Sequence, residues 1–424
     1  MTAPLNPVSN NKHWTADLRT ILLLPLASVA LLILVVFATD RLIGLVLNRT
    51  PDDTARGLVF PPDTEELFPT VEFDMRVRTN ELGLRDNPVG AKSESVYRIA
   101  VVGDSFTFGW GVEAEAGWVT VLERELRASG ASVELLNLGK PGAGIPQYIE
   151  ILERAIPVLK PDLVVLALLQ GDDLGSAWRY TPPVNVRLGR WTALLFPHIV
   201  RLLWQRDGRE AGLGASGPGA TQTREERRAA FAQEARRWVE QLEPPQRSAF
   251  ERMPEEVRSA ALNGEFNLGL VQMAIGSPDV MMNVARTESG FFRESSRDIV
   301  GALQYLKTYA GIHGAQLAVT SMPHGIYVNR PAMENYARLG MEVDEALLGS
   351  ELPDAVFASA CEAVDIPFWS PTAAFRDRVD DDSLYYRLDG HWTPAGNKLC
   401  AMALEERFLS IIPLSYRLKP NQPE

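Results

Sequence analysis

The alternation of apolar and polar positions changes character three times along the chain. From Thr20 to Ala38 runs TILLLPLASVALLILVVFA, nineteen residues without a charge and with apolar residues on every helical face. That length falls within the ~17–25 residues that cross a hydrocarbon core at ~1.5 Å rise each. The expectation is a single-pass transmembrane helix over 20–38. A secretory signal peptide competes, with Val36-Phe37-Ala38 as a weak cleavage site, but its apolar region normally runs only ~7–15 residues. Lys12 and Arg19 precede the span and Arg41, Arg49 and Arg56 follow it, so basic residues do not set its orientation. A short N-terminal tail favours an N-inside anchor with residues 50–424 outside.

Residues 50–95 are rich in Pro, Asp and Thr. They include the alternating stretch VEFDMRVRTNELGLRD (71–86), where Val71, Phe73, Met75 and Val77 share one face of an edge strand or hairpin. From residue 96 the period shifts repeatedly between strand and helix. Strands are predicted at 96–105, 133–139, 161–173, 315–323 and briefly at 366–368. Helices are predicted at 116–129, 145–159, 295–311, around 352–364 and from Thr393 to Leu409, the last with Pro394 in its first turn. Strands alternating with helices predict a parallel sheet whose crossovers cover both faces.

Between Asp173 and about 290 the rhythm stops. Residues 207–222 (DGREAGLGASGPGATQ) read as a flexible linker. Thr223-Arg-Glu-Glu226 is a capping box that opens a charged helix to about Leu242, most simply a solvated face. Helical segments continue beyond Pro244-Pro245, so this stretch reads as a helical insertion.

Composition excludes several classes. With 46% hydrophobic residues the chain can bury a core, and two cysteines among 424 residues cannot form a disulfide scaffold. Cys361 and Cys400 are expected as free thiols, with a bridge between them outside the cytoplasm as the alternative. The net charge is −12; residues 1–50 hold four basic and two acidic side chains, so the remainder, with 38 basic against 52 acidic, stands at −14. That excess acid argues against nucleic acid as a partner, whose affinity rests on Lys and Arg, and fits a neutral ester better than an anionic substrate.

Ligands of open parallel sheets bind beyond the carboxyl ends of the strands. In order, those ends hold Gly103-Asp104-Ser105-Phe106, the loop from Asn137 through Gly139, Gly142 and Gly144, then Gly171-Asp172-Asp173, and finally Asp389-Gly390-His391-Trp392 before the last helix. Each is weak alone: a serine after such a turn is usually a helix cap, and paired aspartates are usually solvated. The glycine loops lack dinucleotide spacing and no Walker A sequence exists, so no nucleotide cofactor is implied. No spacing of His, Cys and carboxylates suggests a metal site.

Together the blocks resemble the SGNH hydrolase (GDSL-like esterase) superfamily, over roughly 70–175 and 290–410. GDSFTFGWGV is similar to its first block, NLGKPGAG to its second, QGDDL to its third and DGHWTPAGN to its last, in a branch that shortens D-x-x-H to DxHW. RTNELGLRD and the anchor are similar to membrane-attached bacterial members, some of which act on polysaccharide acetyl groups. The resemblance implies a three-layer α/β/α, flavodoxin-like fold over 96–175 and 290–411, with the insertion at 176–289. A tail (1–19), the membrane helix (20–38) and the linker and edge-strand segment (50–95) precede it, and a tail (412–424) follows.

The implied activity is that of a serine esterase acting through an acyl-enzyme on O-acyl esters, with an O-acetylated surface glycan as substrate. An O-acetyltransferase, or a non-catalytic glycan-binding or assembly protein, remains an alternative. The implied location is the inner membrane with the catalytic domain outside the cytoplasm. By the same resemblance Ser105 is nucleophile, His391 base and Asp389 orienter. The chemistry agrees, since a hydroxyl needs a neighbouring base and imidazole has a suitable pKa. Because Asp389 and His391 are two apart, their turn must be non-extended for the side chains to touch.

The implied oxyanion hole uses the Ser105 and Gly142 N–H groups and a third donor. The family supplies an Asn amide there, whereas this chain has Asp172, and an ionised carboxylate donates nothing. A protonated Asp172, another role for it, or reduced activity all remain open. Asp104, Trp110, His324 and Trp392 are weaker substrate-binding candidates, the two tryptophans being as readily core residues. His198 and His313 read as structural or surface groups, and His13 precedes the span.

Overall fold

The computed structural model describes residues 18–47, 57–171, 173–174, 223–279, 282 and 290–417, with side chains in the first helix described over 27–43. Asp172, His13, His198 and the linker at 207–222 lie outside the described residues. The expected span falls inside helix α1 (Leu18–Leu47). Its described side chains include exposed Leu31, Leu32, Ile33, Leu34 and Phe37, but also Thr39, Asp40 and Arg41. Among the described residues no helix is long and apolar enough to cross a membrane, so the expected transmembrane helix is not supported.

Residues 57–95 supply a two-stranded antiparallel hairpin, β1 (Glu65–Pro69) and β2 (Asp74–Arg78). It forms its own sheet rather than an edge of the main one. Met75 and Val77 face inward as the alternation predicts, while Val71 lies in the turn and is exposed.

The main sheet contains β3 (Tyr97–Gly103), β4 (Val133–Gly139), β5 (Leu163–Leu169), β6 (Gln316–Met322) and β7 (Phe368–Trp369). Its order is β4-β3-β5-β6-β7 and every pair is parallel, which is the flavodoxin-like arrangement. After β3 come the short α2 (Ser105–Phe108) and α3 (Trp118–Ala128); α4 (Ile145–Leu159) links β4 to β5. The run of apolar residues in β3 divides by parity. Ile99 and Val101 meet Trp118 and Leu122 on one face, and Ala100 and Val102 meet Ile149 and Leu152 on the other.

The insertion contributes α5 (Arg224–Glu240), α6 (Pro244–Arg252), α7 (Glu255–Leu262) and α8 (Leu268–Gly276). Thr223 and Glu226 form the expected reciprocal cap, at 3.2 Å and 2.9 Å. The helix is not solvated all round, which corrects that expectation. Its Phe231 ring stacks on Phe68 of β1 at 6.1 Å, and buried Arg227 pairs with Glu66 at 3.2 Å. An apolar anchor and a desolvated ion pair thus turn one side of a charged helix onto the hairpin.

Helix α9 (Gly290–Ile312) precedes β6, and α10 (Gly325–Val328), α11 (Arg330–Arg338), α12 (Leu352–Val364), β7, α13 (Thr372–Arg376) and α14 (Pro394–Ile411) follow it. Cys361 and Cys400 are buried free thiols, and burial pushes Cys361 up to about 12.

Residues 79–86 explain themselves structurally. Asp86 accepts the Asn137 N–H at 2.9 Å, covering part of edge strand β4. Arg85 is buried and donates to the carbonyls of Phe108 (3.0 Å), Gly109 (2.8 Å) and Val112 (2.6 Å), with its guanidinium 4.7 Å from the Phe108 ring centre. Burial lowers its pKa to about 10, so it stays charged at neutral pH. It gathers the chain leaving α2, which begins at Ser105. Arg85→Leu is expected to destabilise the protein by ~3 kcal/mol or more, since each stranded buried acceptor costs ~1–3 kcal/mol. Thermal and urea unfolding of the two proteins measures this, and equal midpoints would remove Arg85 from this role.

Candidate functional site

Strand β3 delivers Ser105 at the carboxyl end of the sheet. Asp104 caps α2, its Oδ1 accepting from the Phe106 N–H at 2.9 Å. The side chain, expected as a substrate contact, is buried and serves as that cap. Helix α2 lies against the end of β4, where Gly139 is obligatory: a Cβ there would sit 2.2 Å from the Phe108 nitrogen.

The second block turns beside Ser105. Lys140 N–H bonds the Gly103 carbonyl at 2.9 Å, and Ala143 N–H closes onto Lys140 at 3.1 Å, with Gly142 at φ 70° between them. Among the described residues neither the Ser105 nor the Gly142 N–H has an acceptor within the chain. Asp172, the expected third oxyanion position, lies outside the described residues. Its neighbour Asp173 is not solvated: it is buried and its Oδ2 accepts from Leu169 N–H at 2.7 Å and the Tyr148 hydroxyl at 3.2 Å.

The last block closes the constellation. His391 Nε2 lies 2.7 Å from Ser105 Oγ, and His391 Nδ1 lies 2.5 Å from Asp389 Oδ1. The intervening turn is non-extended, as two-residue spacing requires. Gly390 takes φ 80°, its N–H bonds the Tyr386 carbonyl at 3.0 Å, and Tyr386 N–H bonds the His391 carbonyl at 2.8 Å. A Cβ at Gly390 would also meet the Tyr336 hydroxyl at 2.6 Å. Burial grades inward, since the His391 side chain is 12% exposed and Asp389 only 4%. The Asp389 carboxylate is satisfied on its far side, where Oδ2 accepts from Trp110 Nε1 at 3.2 Å and Asn267 Nδ2 at 3.4 Å.

Two aromatic candidates separate here. Trp110 is partly exposed and bonded to Asp389, so it belongs to the site through a polar contact. Trp392 is 1% exposed, stacked on Phe375 at 5.2 Å and edge-on to Phe106 at 4.9 Å. It is core and cannot stack on a sugar. His324 is likewise no rim residue. It is 3% exposed, its Nδ1 accepts from Ile326 N–H at 3.4 Å, and its ring lies 5.0 Å from Tyr336. Burial, and then the charge of His391, pull its pKa down to about 3. His313 is an exposed neighbour of Tyr309, at 4.8 Å between rings.

Sequence reasoning missed Glu72 and Asn267. Both reach Asp389 across large sequence separations, Glu72 through the Asp389 N–H at 2.8 Å. A carboxylate in a hairpin turn and an asparagine capping α8 carry no local signal for such contacts.

No protein-family model matches the chain, and no curated protein matches it. Solved structures similar to it include the lipase/acylhydrolase from Enterococcus faecalis, at 12% identity, covering 77% of this chain and 99% of that one, with TM-score 0.37. A member of the lipolytic protein G-D-S-L family from Veillonella parvula is similar at 12% identity, 74% and 99% coverage and TM-score 0.35. A catalytic mutant of Axe2, an acetylxylan esterase from Geobacillus stearothermophilus, is similar at 13% identity, 76% and 97% coverage and TM-score 0.34. At such scores the likeness carries no argument, and the site's meaning rests on its own distances.

The buried, neutral His324 makes folding pH-dependent. Its folded pKa of about 3 lies below its ordinary 6.5, so between those values only the unfolded chain binds the proton. This group therefore favours folding fully above about pH 6.5, and stability falls below it by up to ~1.4 kcal/mol per pH unit. His324→Asn keeps a capping oxygen without the titration. Urea unfolding at pH 7.5 and 5 is expected to show a smaller loss in the variant, and an equal loss would exclude His324 as its source.

Proposed function

We propose that this protein is a serine ester hydrolase of SGNH type that works through an acyl-enzyme. One observation carries the reading: the continuous hydrogen-bonded chain Ser105 Oγ, His391 Nε2, His391 Nδ1, Asp389 Oδ1, at 2.7 Å and 2.5 Å, joining residues 286 apart in sequence. Ser105 Oγ attacks the ester carbonyl carbon while His391 Nε2 accepts its proton. The tetrahedral oxyanion is held by the Ser105 and Gly142 N–H groups, each such donor being worth ~2.7–4 kcal/mol. His391 then gives the proton to the departing alkoxide, leaving an alcohol and an acyl-serine. Water, deprotonated by His391, attacks that ester, and the carboxylic acid leaves as Ser105 regains its proton. Asp389 holds the Nδ1–H tautomer and stabilises the imidazolium.

The finer reading, an O-acetyl ester on a surface glycan, rests on the likeness of the four sequence blocks to that superfamily. The tests are labelling by a fluorophosphonate probe and turnover of p-nitrophenyl acetate. Ser105→Ala is expected to abolish labelling and lower turnover by ~10³-fold or more, to the background limit. A wild type that neither labels nor turns over would sink the hydrolase and leave a binding protein. Release of acetate from an acetylated oligosaccharide supports the glycan substrate; acetyl appearing on an added sugar acceptor makes the protein a transferase instead.

We further propose that the N-terminal helix attaches the protein to a bilayer with the catalytic domain outside the cytoplasm. Support comes from the charge-free apolar run and from Leu31, Leu32, Ile33, Leu34 and Phe37, all exposed on α1. The full chain is expected in the membrane pellet after alkaline carbonate extraction and a chain lacking residues 1–50 in the supernatant. Equal partition of the two would discard the attachment. Exposure of the catalytic domain to protease in intact spheroplasts tests its side.

A further inference from the structure

The turn that carries Asp389 and His391 belongs to neither a strand nor a long helix. Its internal bonds use the N–H groups of Tyr386 and Gly390, at 2.8 Å and 3.0 Å. Those of Leu388 and Asp389 point out of the turn. Both are taken by one side chain. Glu72 Oε2 accepts from Leu388 N–H at 3.0 Å and from Asp389 N–H at 2.8 Å, and Oε1 lies 3.0 Å from Leu388 N. Nothing local produces this contact, because Glu72 sits in the turn between β1 and β2, 317 residues before Asp389.

That turn is itself held. Thr70 Oγ1 accepts from the Glu72 and Phe73 N–H groups at 3.1 Å and 2.9 Å. Val71 N–H bonds the Glu265 carbonyl of the insertion at 3.0 Å, and the Phe73 ring packs on Tyr386 at 4.9 Å. The placement is electrostatically unfavourable for a carboxylate: burial, and to a lesser degree the Asp389 charge, raise its pKa. A half-buried like-charge neighbour would be a costly way merely to cap a loop. The geometry offers a more specific role. With only Gly390 between acid and base, small rotations of the Asp389 backbone swing its carboxylate away from His391, and misplacement of ~1 Å can cost ~10²-fold in rate.

We propose that Glu72 is a positioning residue for the triad, its carboxylate fixing the backbone of Leu388 and Asp389 so that Asp389 Oδ1 meets His391 Nδ1. Trp110 and Asn267 fix the same carboxylate from its side-chain end; Glu72 fixes it from the main chain. The catalytic consequence rests on the hydrolase reading above, whereas the positioning itself does not.

The test uses the full chain with Glu72→Ala, Glu72→Gln and Glu72→Asp. Gln keeps an oxygen where the two N–H groups converge, while Asp keeps the charge but withdraws it. The first readout is the downfield proton resonance of His391 Nδ1–H bonded to Asp389, which reports the alignment without any substrate. It is expected to persist in the wild type and in Glu72→Gln and to broaden or vanish in Glu72→Asp and Glu72→Ala. The second is p-nitrophenyl acetate turnover, with kcat expected ~10²-fold lower in Glu72→Ala, KM nearly unchanged, and Gln restoring more than Asp. A loss of thermal stability with the resonance and kcat intact would overturn the proposal, as would Asp restoring more than Gln. If Glu72→Ala does not fold, the order of Gln and Asp decides. A wild type that shows the resonance but no turnover would sink the hydrolase reading alone, and the resonance in the variants would still decide the role of Glu72.

Discussion

A buried carboxylate has to be surrounded by donors, and at Asp389 that requirement organises the molecule. The group is almost wholly withdrawn from water, and a lone charge there would cost several kcal/mol. Beside His391 of the same turn, its partners come from distant parts of the chain: Trp110 from the loop after α2 and Asn267 from the insertion. The hairpin adds Glu72 on the main chain. Segments outside the α/β unit therefore complete the surroundings of one carboxylate. Their own contacts, Phe231 on Phe68, Arg227 with Glu66 and Val71 with Glu265, hold hairpin and insertion together behind it.

The parallel sheet supplies the rigid side of this arrangement. Ser105 follows a strand buried on both faces, and its short helix is pinned from beneath by Gly139 and from behind by Arg85. Ser105 is thus placed by elements that cannot shift without breaking strand pairing or stranding a guanidinium. His391 and Asp389 sit on a turn outside the sheet, held by contacts from other segments. Precision in the pair of hydrogen bonds comes from matching a stiff half to a braced half.

Much of this was legible in the sequence. The five strands and their crossovers follow from apolar runs bounded by turns, and the need for a non-extended Asp389-Gly390-His391 turn follows from spacing alone. Parity within β3 was less visible, because a strand buried on both faces loses its alternation. The short helices α10 and α11 have too few turns to show a period. Asp104, Trp392 and His324 lie at the right sheet edge, and sequence position does not reveal depth; only packing against Phe106, Phe375 and Tyr336 shows that two of them are core. Glu72 and Asn267 were illegible for a different reason. Each acts through a contact whose partner is more than a hundred residues away, and neither residue type is unusual where it stands.

The two histidines at this edge show why chemistry has to be assigned by nitrogen rather than by motif. His324 spends Nδ1 on the Ile326 N–H, and burial holds its ring neutral, which suits a capping group. His391 keeps a foot in solvent, meets a carboxylate at Nδ1 and offers Nε2 to a hydroxyl. Only the second can accept a proton from one side while the resulting charge is compensated from the other. A neutral histidine packed behind a turn and a hydrogen-bonded aspartate buried within it are complementary: the first lets the turn pack against Tyr336 without adding charge, and the second meets the imidazole nitrogen opposite the one that faces Ser105.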